Sequence, residues 1–257
     1  MTRHGHPAHV DGPEARVTMM EPALPKPSLR LMLAGAPGLL LGAICALGCY
    51  LAAGSQLGLY FGGIITATLI APPLVLAETD WRDRGIALAA IILGIAIVWL
   101  VPVLSRNVTF TAWFSSTLVL ASYSLALASL AAVLHRIGVG AAAASAMAIV
   151  AGIAWLSWPF WLCPWLTSGN RADVVEWLMK PHPLLSINGA LRETYPACWL
   201  RDKHKIAYTL ANVLNDIPYE LPRGVLRAVL IHLGIGAILT SLALWGTITW
   251  PVRRRAC

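Results

Sequence analysis

The sequence predicts an all-α integral membrane protein of six transmembrane helices, with an outer segment of short interfacial or re-entrant helices between the fifth and the sixth. Three observations carry that reading. Hydrophobic residues make up 58% of the 257 and charged residues only 12%, against about 25% charged in soluble domains. Mean hydropathy is +0.68, concentrated in runs close to the ~20 residues a helix needs to cross a bilayer. Leu, Ala, Ile and Gly fill those runs without a period of two, which excludes the alternating strands of an outer-membrane barrel.

Residues 1–28 hold five prolines, three histidines and no apolar core, so they read as a disordered cytoplasmic tail and not as a cleavable signal. His4, His6 and His9 have no scaffold to hold a metal there. Residues 29–159 carry the first five spans: Leu31 to Ala53, Leu57 to Ala77, Gly85 to Leu104, Val108 to Leu134 and Gly138 to Pro159. Pro37 kinks the first span or sits in its first turn, and Pro72 and Pro73 should break or bend the second. Gly38 with Gly42, and Gly58 with Gly62, stack on one helix face and let backbones approach. Val225 to Trp250 is the sixth span, followed by a basic tail over 251–257.

Orientation follows from short-loop Lys and Arg, which stay on the cytoplasmic side during insertion. With both termini inside, the cytoplasmic set is Arg3, Arg16, Lys26, Arg30, Arg82, Arg84, Arg136 and Arg253 to Arg255, against Arg106 alone in the short outer loops. The expectation is a multi-pass protein of the cell inner (plasma) membrane. The net charge of +7 is then topology plus attraction to anionic headgroups. Without a basic stripe interleaved with aromatics, nucleic acid is not a partner.

The outer stretch, 160–224, is roughly 65 residues, far longer than an ordinary connection. Trp155, Trp158, Trp161 and Trp165 lead into it along one helical stripe, read as an aromatic belt, with Pro159 and Pro164 interrupting the helix. Asn170 or Asp173 caps a short helix through Met179, ended by Pro181 and Pro183. Leu184 to Gly189 is too short to span and reads as a shallow re-entrant or interfacial turn. Over 205–217, Ile206, Leu210, Val213, Leu214 and Ile217 line one face of an amphipathic helix. Cys163 and Cys198 are the candidate disulfide; in an oxidising compartment it would stabilise the loop by about 3 to 4 kcal/mol.

Chemistry-bearing residues are few. His232 is the clearest ionisable group at bilayer depth, and such a residue is a functional candidate by default. Its bland reading is a neutral imidazole hydrogen-bonded to a neighbouring helix. In the outer segment, His182, His204, Asp216 and Glu220 are the candidate catalytic groups, with His182 expected to be the best exposed. No HExxH, GxSxG, paired CxxC or DxD-like spacing organises them, so the sequence leans away from an enzyme and names neither metal nor cofactor. A GxxxxGK[ST] phosphate loop is also missing, so energised transport would need a separate ATPase.

Six spans, both ends inside, a short charged loop after the second span and a long outer insertion before the sixth together resemble the ABC-2-type exporter permeases. The loop Glu78-Thr79-Asp80-Trp81-Arg82-Asp83-Arg84-Gly85 is similar to that family's acidic-basic stretch ending at a glycine. The resemblance implies a P-loop ATPase partner docking on Glu78, Asp80, Arg82, Asp83 and Arg84, a homo- or hetero-oligomer, and an outer insertion that gates. Beside this permease reading stand an accessory or assembly subunit of a larger membrane complex, and an enzyme acting on a lipid-linked substrate at the outer interface.

Overall fold

The structure, a computed structural model, describes residues 27–53, 56–162, 172–192 and 224–249. The amino-terminal tail, Cys163 with Cys198, Trp165, His204, the amphipathic stretch 205–217, Asp216, Glu220 and the basic tail lie outside the described residues. Described are α1 (Pro27–Ala53), α2 (Gln56–Ala77), α3 (Trp81–Val98), α4 (Leu100–Leu104), α5 (Phe110–Arg136), α6 (Ala141–Trp161), α7 (Ala172–Met179), α8 (Pro183–Arg192) and α9 (Leu226–Thr249). No strand occurs among the described residues.

Among the described residues, five stretches are long and apolar enough to cross a membrane: Gly58–Ala77, Trp81–Leu104, Phe110–Arg136, Ala141–Pro159 and Leu226–Trp245. Within α1 the apolar stretch among the described residues is Gly35–Leu51. This is the architecture of a multi-pass helical membrane protein. Large apolar side chains such as Ile44, Leu51, Val150, Ile238 and Leu242 point outward, as they do where the surrounding solvent is lipid.

The helices alternate in direction along the chain. Gly35, Gly38 and Gly42 of α1 face Ile86, Ala87 and Ile91 of α3 in rising order, so α1 and α3 run parallel. Ser129 pairs with Thr240 at 2.8 Å and Leu125 meets Gly236, so α9 runs parallel to α5. The start of α1, the turn at Glu78 to Asp80, the turn at Ile137 to Gly140 and the end of α9 therefore share one end of the bundle. The α4–α5 turn, the end of α6 and the start of α9 share the other.

Close approach of α1 and α3 depends on glycine. A Cβ on Gly42 would lie 2.8 Å from the Ile91 carbonyl oxygen, and one on Gly94 would run into the Leu39 carbonyl. The backbones touch because no side chain separates them. At the bundle centre, α2 and α5 bury Tyr60, Ile64, Leu120 and Tyr123.

Pro72 and Pro73 do not break α2, which runs through them, and Pro37 lies inside α1 and not in its first turn. Pro159 likewise lies inside α6, which continues to Trp161. The unexpected break is at Trp99, between α3 and α4, three residues before Pro102, where the proline ring displaces the preceding turn. Carbonyls there find indole partners: Trp113 Nε1 donates to Ala96 O at 2.9 Å. The buried Trp99 donates to Leu59 O at 3.0 Å, and the Tyr60 hydroxyl donates to Trp99 O at 3.3 Å.

The ends of α5 show local chemistry setting boundaries. Thr109 caps it by accepting from Ala112 N at 3.3 Å. At the other end Gly138, at φ +102°, closes a Schellman turn in which Gly138 N donates to His135 O and Val139 N to Leu134 O.

Candidate functional site: a buried histidine junction

After α6, the chain returns to the bundle. Helix α8 packs on α5 and α2, and Leu185, Ser186, Ile187 and Asn188 are buried. The re-entrant expectation for 184–189 thus takes the form of a buried helix. Its start explains why. His182 occupies the cap position and Pro183 the first helical position, where a missing N–H costs nothing. Nδ1 of His182 accepts from Leu185 N at 3.3 Å, three residues on, as an Asn or Ser cap would.

The other ring nitrogen is also engaged. Since Nδ1 accepts, Nε2 carries the proton, and it donates to the Leu156 carbonyl of α6 at 3.2 Å. The Trp155 carbonyl also lies within reach of the imidazole. That carbonyl is the one whose helical donor Pro159 removes, four residues on. His182 therefore ties α8 to the last turns of α6, next to the carbonyl that Pro159 leaves without its helical donor.

His182 is 2% exposed, which corrects the expectation of an exposed residue. Burial, first, lowers its pKa from 6.5 to about 4, the nearby His232 pushing in the same direction while its carbonyl hydrogen bonds oppose. Both nitrogens serve structure, so His182 has no free nitrogen for acid–base work.

Aromatic rings surround it. Trp155 and Trp158 sit 6.1 Å and 6.0 Å away between ring centroids, the second edge-on at 76°. The tryptophan stripe is therefore divided. Trp158 is 1% exposed, whereas Trp161 is 57% exposed and donates to Ala154 O at 3.1 Å.

His232 of α9 completes the junction from the other side. It is 4% exposed and packs edge-on against Tyr123, with centroids 5.5 Å apart and planes at 73°. The Tyr123 hydroxyl meets Thr68 Oγ1 at 3.1 Å and the Gly152 carbonyl at 3.4 Å, while Thr68 also donates to Ile64 O at 2.8 Å. The Ala228 carbonyl, one turn back, lies near the His232 ring, but Nδ1 makes no hydrogen bond of good geometry among the described residues. The bland reading of His232, an imidazole bonded to a neighbouring helix, does not describe this nitrogen. Trp155 Nε1, Trp158 Nε1 and Ser116 Oγ are buried without a partner in the same way. Tyr123 and Thr68 are site residues that sequence reasoning did not single out, because only tertiary packing brings them beside the histidines; Trp155 and Trp158 were read as part of an aromatic belt and instead turn inward.

The charged loop lies at the opposite end. Arg84 Nε donates to the Glu78 carbonyl at 2.8 Å, and the Arg82 guanidinium stacks 5.5 Å from the ring of Trp81, which is 69% exposed. Asp80 and Arg82 are exposed, and Asp83 and Arg84 half-buried. His135, in the other turn at this end, places Nδ1 3.1 Å from Val139 O. Among the described residues no three His, Cys, Asp or Glu side chains gather as metal ligands would.

Comparison with family models, curated proteins and solved structures finds no match for this chain.

Proposed function

We propose that the chain is a permease subunit of an exporter in the inner membrane, with both termini cytoplasmic, driven by a separate P-loop ATPase. One observation carries the reading. The two ends of the bundle differ in kind: one presents a compact charged turn with an exposed tryptophan, the other folds a buried helix back among the spans. Polar side chains such as Ser186 and Asn188 are costly to bury on a helix folded back among the spans; a helix that moves between engaged and released positions accounts for them, and energy would reach it from a partner bound at Glu78 to Arg84.

Buried hydroxyls on α2 and α5, from Thr66, Thr68, Ser116, Ser122 and Ser124, support a polar route through the interior. The enzyme alternative loses its leading residue, because both nitrogens of His182 are engaged. An accessory role in a larger complex predicts a different set of partners.

The test is a mild-detergent pull-down of the tagged chain from its host, with mass spectrometry of what stays bound. Near-stoichiometric recovery of a P-loop ATPase, lost in the R82E/R84E double variant while insertion is retained, is the expected result. A stable multi-subunit complex without an ATPase would replace this reading with the accessory one.

A further inference from the structure

Three buried polar ring atoms lie around the junction unpaired. Trp158 and His232 are both more than nine-tenths buried, and Trp158 Nε1, Trp155 Nε1 and His232 Nδ1 have no hydrogen-bond partner among the described residues. The two indoles contact the His182 ring, and His232 packs on Tyr123, whose hydroxyl reaches the Gly152 carbonyl of α6, three residues before Trp155. Native proteins leave few buried side-chain polar atoms unpaired, and a cluster of them calls for a cause.

The neighbours that might have paired with them are occupied. His182 uses both nitrogens on Leu156 and Leu185. The Tyr123 hydroxyl is held between Thr68 and Gly152. Helices α6 and α9 each pack on α5, and they carry the indoles and His232 respectively.

The chemistry of the free atoms limits what would satisfy them. An indole N–H only donates, and an imidazole nitrogen donates in one of its tautomers. All three are neutral and set in aromatic walls, which suits a carbonyl or carboxyl oxygen better than a phosphate, whose usual partners are Arg and Lys. At this depth beside lipid-facing helices, the bearer of such an oxygen is an amphiphile with an apolar tail.

We propose that Trp155, Trp158 and His232 form a binding site for the carbonyl or carboxyl headgroup of a lipid-borne amphiphile, with His182 as the residue that positions the two indoles. The site goes beyond the permease reading and does not need an ATPase.

The test uses the full chain in lipid nanodiscs and two radiolabelled probes, a decyl-substituted benzoquinone for the carbonyl headgroup and dodecanoic acid for the carboxyl, with binding corrected for partition into empty nanodiscs. Expected is saturable binding of one probe per chain, and whichever probe binds identifies the headgroup. The W158F and H232L variants should bind at least tenfold more weakly. W161F should bind as the wild type does, since that indole faces outward and already donates to Ala154. Absence of saturable binding of both probes to the wild type overturns the proposal without recourse to any variant. So does wild-type affinity in both W158F and H232L, or an equal loss in W161F. Because the readout needs only the isolated chain, it fails or succeeds apart from the ATPase pull-down.

Discussion

Acid should loosen the junction through His182. The folded chain holds this imidazole neutral, because Nδ1 must accept from Leu185 and burial disfavours charge; its pKa falls from 6.5 to about 4. In the unfolded chain it takes up a proton near 6.5, so over the interval between the two values the unfolded state binds more protons than the native one. Stability is then full above 6.5 and is lost progressively as pH falls to about 4. At 1.36 kcal/mol per pH unit the loss reaches about 3 kcal/mol. The assay is unfolding of the purified chain by SDS in mixed micelles, from about pH 7 to about pH 4, comparing wild type with H182N. Asparagine caps a helix as histidine does here but does not titrate, so background from carboxylates cancels in the difference. Wild type should lose about 3 kcal/mol more than H182N over that interval. Equal pH slopes in the two proteins would refute the account of His182 as a neutral, doubly bonded cap.

Other perturbations follow from the same contacts. Gly94→Ala drives a methyl group into the Leu39 carbonyl. It should cost about 1 to 3 kcal/mol by overpacking, read as a lower SDS midpoint; a midpoint equal to wild type would mean that α1 and α3 do not touch through their backbones. Tyr123→Phe removes the contacts to Thr68 and Gly152 but leaves Thr68 bonded to Ile64, so the loss should be near the ~0.6 kcal/mol typical of hydrogen bonds between membrane helices. In a variant chain carrying Pro159→Ala, α6 regains the donor for the Trp155 carbonyl. H182N should then be less destabilising than in the parent, and a double-mutant cycle showing no coupling would contradict the link between proline and histidine.

How far the sequence foretold this can be judged residue by residue. The apolar runs marked α2, α3 with α4, α5, α6 and α9 to within a few residues, because bilayer thickness imposes length and lipid imposes composition. Gly42 was legible as a packing residue since small side chains have few other uses on a membrane helix. Trp99 was not legible as a break: Pro102 interrupts α3 where Pro72 and Pro73 do not interrupt α2, and there Tyr60 and Trp113 donate to the Trp99 and Ala96 carbonyls. His182 was singled out for chemistry and set in solvent, when the His-Pro pair before an apolar run is also a helix-cap signature. The decisive contact, the His182 imidazole donating to the Leu156 carbonyl 26 residues earlier, exists only after the chain has turned back.

Helix α9 rests chiefly on α5, where Ser129 and Thr240 join at 2.8 Å, and it alone brings His232. The contacts among α1 to α6 need nothing from it. During synthesis, then, the earlier helices can settle before α9 emerges, and the face of Tyr123 stays uncovered until it does. Any quality control that inspects the newly inserted chain thus has a simple mark that α9 has docked: whether Tyr123 has met its imidazole.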